Sequence, residues 1–322
     1  MASCISPVQI PDRTSHDGDI RHGLMPVLDS VFPLLLAITD DEPAAAAIRV
    51  TLALAGARGA VPTVVRALGN GRDVEVVVSP FVGIVPEGSL SPEYRDECRD
   101  SLQKQIELVA GDVRWRMEIV DEAPADAVIE HARQLRPELI VMGLRRHGVL
   151  HRTVSRGVLR PVTGATRLPV LAVTPELTGL PERIVVAVDF SEESILAARL
   201  ARHLLADDGE MYLIHVATGG PCAASRRTTL ASDCSAERVA EELDRLIEDL
   251  DAAPTMTITP VVATGDVRLS IAGCARRVGA DLIAVGSDHH SSLDRLLSNS
   301  VSMGLAREAR WSMLVVPSRH DD

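Results

Sequence analysis

Residues able to do chemistry gather at a few points in this chain. Val188-Asp189-Phe190-Ser191, His215-Val216, Gly265-Asp266 and Gly286-Ser287 each stand at the end of an apolar run. In open α/β sheets, ligands bind beyond the carboxyl ends of the strands, where the strand order reverses. A glycine there admits a phosphate that a Cβ would hold off, and a helix N-terminus favours the anion. Other chemistries are poorly supplied. There is no Gly-x-Ser-x-Gly elbow for a hydrolase nucleophile and no Walker A loop. His147 and His151 are four apart, and His289 and His290 lie near Asp294. Zinc needs three or four ligands with a supporting shell, and nothing else converges on these histidines, so they read as exposed loop residues. No metal site and no catalytic residue is expected.

The elements that would position these residues are strands alternating with helices. Aliphatic runs mark strands at Leu34 to Ile38, Val74 to Val78, Val113 to Val120, Leu139 to Met142 and Val170 to Val173. Helical spacing falls at Ala44 to Arg58, where Ala47, Val50, Leu54 and Ala57 share a face, then at Glu93 to Gly111 and Ala125 to Leu135. The list then repeats. Strands are expected at Ile184 to Val188, Met211 to Val216, Thr255 to Val262, Leu282 to Val285 and Met313 to Val316. Helices are expected at Ser191 to Leu205, Ala236 to Leu250 and Val267 to Val278. Thr218 to Ser232 and Pro80 to Pro92 read as loops.

The repetition has a register. Gly143 falls on Gly286 and Val173 on Val316, a separation of 143 residues, with His147 on His290 and Ser155 on Ser298 between them. Near the front of each copy the separation is 150, as for Ala37 with Ala187 and Arg49 with Arg199. The first copy therefore carries seven extra residues in its middle. A unit this long is a domain rather than a solenoid repeat. The division is a tail at 1–30, domain 1 at 31–175, a linker at 176–182 containing Gly179, and domain 2 at 183–318. The tail, with Pro7, Pro11 and Gly18 and no sustained period, is expected to be flexible.

Composition narrows the partners. Of the 322 residues 46% are hydrophobic but only 2% aromatic, so the cores must be aliphatic, as in buried parallel strands. A net charge of −12 and the shortage of stacking rings argue against nucleic acid. No apolar run reaches the roughly 20 residues of a membrane helix. The polar N-terminus lacks a signal-peptide core. Five cysteines, an odd number without metal or redox spacing, suggest reduced thiols and a cytoplasmic protein.

Taken together, AVDFS from Ala187, GDV from Gly265, DLIAVGS from Asp281, SNSV from Ser298 and LVVP from Leu314 resemble the universal stress protein family, UspA type. The resemblance runs from about residue 31 to 318, in two tandem units. It implies an α/β fold of two Rossmann-like domains, each a five-stranded parallel sheet with helices on both faces. Family members commonly pair along the last strand, here Val170 to Val173 with Leu314 to Val316, as an intramolecular pseudo-dimer or a homodimer. Many members bind ATP through a strand-end Asp and a motif of Gly, two residues, Gly, nine residues, Gly, then Ser or Thr.

Both copies depart from that motif. The second keeps Gly286 and Asp189, but His289 stands at the second glycine and Asn299 at the third, followed by the hydroxyl of Ser300. Asn tolerates a left-handed backbone better than most residues, so Asn299 can preserve the turn. The first keeps Gly143, but has Arg146, Arg156 and Gly157 at the later positions and Thr39 for the Asp. The resemblance thus implies adenine nucleotide in domain 2, as ATP with Mg2+. Val188, Asp189 and Val216 would line base and ribose, and Gly286, Ser287, Asn299, Ser300 and Val301 the phosphates. The alternative is a protein that binds no nucleotide and acts through sheet-edge pairing and partner proteins.

Overall fold

The computed structural model describes residues 32–38, 42–68, 91–144, 155–217, 236–287 and 311–318. The first half runs β1 (Phe32–Ile38), α1 (Glu42–Arg58), β2 (Ala60–Ala67), α2 (Pro92–Ala110), β3 (Arg116–Val120), α3 (Pro124–Leu135), β4 (Leu139–Gly143), α4 (Ser155–Thr166) and β5 (Val170–Val173). The second runs β6 (Arg183–Ala187), α5 (Glu192–Leu204), β7 (Glu210–Ala217), α6 (Ala236–Asp249), β8 (Thr257–Thr264), α7 (Val267–Val278), β9 (Leu282–Ser287) and β10 (Ser312–Pro317).

Ten strands form one sheet in the order β3-β2-β1-β4-β5-β10-β9-β6-β7-β8. Each half is parallel within itself, and the halves meet where β5 and β10 run antiparallel. Leu171 pairs with Leu314 at the centre of that seam, flanked by Met313 with Ala172 and Val315 with Val170. Leu171 and Leu314 are equivalent residues of the two copies, so the repeat is related by a pseudo-twofold axis through this pair. The seam uses the free edges of both strands inside the chain.

Helices cover both faces. One continuous core joins α1 and α2 of the first half to α5 and α6 of the second over Leu34, Val141, Ile184 and Leu282. The opposite face is split into a core under α3 and α4 and another under α7 and Trp311. Polar caps set several helix starts. Ser91 accepts from the Tyr94 N–H, Ser191 from the Ser194 N–H and Asp266 from the Leu269 N–H.

One strand differs from its sequence expectation. The second strand is Ala60–Ala67, not Val74 to Val78, which lies outside the described residues. Gly59 takes a left-handed φ of 68° directly after α1, and the chain turns at once into a strand beside β1. Pro62 within AVPTVVRA disguises that strand, and pattern reading settles instead on the unbroken aliphatic run at 74–78. The tail, His147, His151, His289, His290, Asn299, Ser300 and Val301 also lie outside the described residues.

A second joint sits beside the seam. The Arg58 guanidinium, 14% exposed, donates to the carbonyls of His203 (2.9 Å) and Leu205 (2.7 Å), and pairs with the Asp207 carboxylate at 2.7 Å. It therefore meets the unsatisfied carbonyls at the negative end of α5. The contact is one-sided, because 150 residues on from Arg58 the second copy has Asp208. Arg58→Ala is expected to cost about 2 kcal/mol, read from urea unfolding, since the lost bonds are charge-assisted and mostly shielded.

His203 packs its ring edge-on against Phe32 at 5.6 Å. Burial, then the charges of Arg58 and Arg202, push its pKa down from 6.5 to about 4. Between those values the unfolded chain holds the extra proton. Stability from this residue is thus full above pH 6.5 and is lost as pH falls toward 4. The half-buried ring should contribute about 1–2 kcal/mol after allowance for solvent. Replacing it, as in His203→Asn, should flatten the pH dependence of unfolding in this window relative to the parent protein.

Candidate functional site

In each half the strand order reverses beside the first strand. β6 is flanked by β7 on one side and β9 on the other, as β1 is by β2 and β4. In sheets of this kind the ligand position is the carboxyl end of the strands at the reversal, here those of β6 and β9. Val188, Asp189, Val216, Gly286 and Ser287 all fall at the carboxyl ends of β6, β7 and β9, as their positions in sequence imply.

Val188 is buried; its N–H bonds to the Ile214 carbonyl and its own carbonyl meets His215 Nδ1 at 2.9 Å. Asp189 is exposed, with Oδ1 accepting from the Ser191 N–H (3.1 Å) and hydroxyl (2.6 Å). The turn is tight, and Phe190 enters it at a φ of 65°, a conformation that few non-glycine residues adopt. Its ring stacks on His215 at 5.0 Å. The carboxylate is thus fixed just before the N-terminus of α5, with one oxygen already bonded. Val216 is half-buried on β7, packed on the core beneath α7.

Gly286 has a different reason for being glycine from the one its motif suggests. A Cβ built there would lie 2.5 Å from the Ser194 nitrogen and 2.6 Å from the Glu193 carbonyl carbon. The space is filled by the first turn of α5, so the missing side chain lets helix and strand meet. Ser287 is buried and its carbonyl accepts from the Ser318 N–H, tying β10 to the end of β9.

Reading the sequence gave Glu193 no role beyond a place near the α5 cap. It is the buried carboxylate of the described residues, 7% exposed and packed beside Gly286. Burial of a first-turn acid has no signal in a single sequence. Among the described residues no group of three His, Cys, Asp or Glu could hold a metal. Cys98 and Cys274 are buried thiols, and burial pushes the Cys274 pKa up, away from reactivity. No described helix is long and apolar enough to cross a membrane.

In the first half Gly143 ends β4, and Arg156 and Gly157 fall in the first turn of α4. Arg66, buried at the end of β2, stands 149 residues before His215. Thr39, Asp40 and Arg146 lie outside the described residues.

Two tandem parallel α/β units, each with its strand order reversing beside its first strand, define a class of duplicated Rossmann-like proteins. A family model for the universal stress protein family matches residues 32–174 and 181–317, and the chain belongs to that family. The universal stress protein MJ0531 of Methanocaldococcus jannaschii is 33% identical over 103 residues, 30% of this chain. The match spans 60% of that relative's own length. A universal stress protein from Archaeoglobus fulgidus has a similar fold, with a TM-score of 0.62 at 16% identity, covering 88% of this chain and 98% of that one. A putative universal stress protein from Pseudomonas aeruginosa superposes with a TM-score of 0.54 at 12% identity, covering 90% and 94%.

Proposed function

We propose that this chain is a stress-response binding protein of the cytoplasm, not an enzyme, whose second half takes an adenine nucleotide, ATP with Mg2+. The domain limits are 31–175 and 183–318, joined by 176–182. One observation carries the nucleotide reading: Asp189 holds its carboxylate at the switch point, braced by Ser191 through one oxygen only. The ribose and base would lie over Val188, Asp189 and Val216, and the phosphates beyond Gly286 and Ser287.

The rival reading, action through the sheet edges, has less to work with. β5 and β10 spend their edges on each other. The outer strands are β3, which carries an Arg116–Glu118 ion pair, and β8, which contains Pro260. Charges and proline are features that discourage strand addition. Titration of the purified chain with Mg-ATP tests the proposal. Heat of binding together with a raised melting temperature is expected; neither signal at millimolar nucleotide would refute it.

A further inference from the structure

We infer that His215 is a positioning residue of the second-half site: its ring holds the turn Val188-Asp189-Phe190-Ser191 in the form that presents the Asp189 carboxylate to the ligand. This rests on the nucleotide reading above. Two contacts tie the ring to the turn. Nδ1 of His215 stands 2.9 Å from the Val188 carbonyl, and the ring stacks on Phe190 at 5.0 Å with 28° between the planes. A carbonyl oxygen only accepts, so Nδ1 carries the proton and donates it. The contacts bracket Asp189, one on the residue before it and one on the residue after. His215 itself is fixed in the sheet, with its main chain in register with Val262 of β8.

The turn needs such a hold. Phe190 sits at a φ of 65°, which is costly for a bulky side chain and persists only where the surroundings over-determine it. Asp189 is exposed, and its carboxylate is bonded within the turn, by the Ser191 N–H and hydroxyl. The direction of the carboxylate therefore follows the turn backbone. The two copies differ here as a set. Counting back 150 residues for the turn and 149 for the strand, the first copy has Thr39 for Asp189, Asp40 for Phe190 and Arg66 for His215. Its strands still pair, with Ile38 opposite Arg66. Folding of the sheet does not call for a Phe–His pair, whereas the copy that keeps the acid keeps both rings. If loss of the ring leaves the turn in its presenting form about a tenth of the time, apparent affinity falls about tenfold.

The test compares the full parent chain with His215→Ala and His215→Asn in two measurements. The first is amide hydrogen exchange without nucleotide. The Ser191 N–H, which donates to Asp189 Oδ1, and the Asp189 N–H, which donates to Ser194 Oγ, report the closed turn. The second is titration with Mg-ATP. In His215→Ala both amides should lose protection by at least about tenfold while amides within β6 and β7 keep theirs, and Mg-ATP should bind about tenfold more weakly. His215→Asn, which returns a donor for the Val188 carbonyl without a ring, should recover part of both losses. Parent-like affinity in His215→Ala would overturn the role of His215 and leave nucleotide binding in place. So would weaker binding with the two amides still protected, a uniform fall of protection through the second half, or no recovery in His215→Asn. A parent chain that binds no Mg-ATP overturns the nucleotide reading, and this assignment falls with it.

Discussion

Gly286→Ala should destabilise the second half by about 3 kcal/mol or more, in the upper range for overpacking. The added methyl would overlap main-chain atoms, the Ser194 nitrogen at 2.5 Å and the Glu193 carbonyl carbon at 2.6 Å, not the free end of a flexible side chain. Relief requires α5 to slide away from β9, and α5 also carries Ala197, Ala198 and Ala201 into the shared core. Gly273→Ala in α7 is the control, since nothing lies within 4 Å of its added methyl. That change should gain about 0.5–1 kcal/mol from helix propensity alone. Urea unfolding of both variants reads the contrast. A Gly286→Ala protein as stable as the parent would mean that β9 and α5 do not pack as described. The result also bears on function. Loss of nucleotide binding in Gly286→Ala would report a displaced helix, so Asp189 is the better probe of the site.

Much of this architecture was legible because the chain states it twice. Leu34 pairs with Leu139 and Ile184 with Leu282, reproducing separations of 150 and 143 residues in a hydrogen-bonded register. Ile140 with Val170 and Ile283 with Met313 hold 143 on both strands. Leu34 pairs with Pro62 and Ile184 with Met211, 149 apart. Thr63 pairs with Arg116 and Tyr212 with Thr259, where the separation is again 143. Six of the seven extra residues of the first copy therefore lie between β2 and β3. That longer segment carries an aliphatic run of its own at Val74 to Val78, which in pattern reading outweighs the proline-bearing strand Ala60–Ala67. The strand ends were legible because apolar runs stop where the chain meets water. What each end residue touches was not. Gly286 matches a phosphate motif by spacing, but its neighbour is a helix. Glu193 reads as an ordinary first-turn acid until its burial is seen. The grip of Arg58 on α5 joins residues 145 and 147 apart, beyond any local pattern.

Leu171→Ala and Leu314→Ala should each cost about 3 kcal/mol, and the double variant should cost less than their sum. Both side chains are buried, at 1% and 0% exposure, in the core that spans the two halves. Each removes three carbons from a site with full neighbours on both sides, and cores of this kind close only partly over the gap. Equal costs are expected because the pseudo-twofold axis makes the two residues each other's counterpart. Subadditivity by at least about 0.5 kcal/mol is expected because they are opposed across the seam, so the second truncation removes a contact already lost. Chemical denaturation of the three variants and the parent completes the cycle. Strict additivity would place the two leucines in separate environments and argue against the seam. The same cycle separates intramolecular from intermolecular pairing: an internal seam gives unfolding midpoints independent of protein concentration, whereas pairing between chains makes them rise with it.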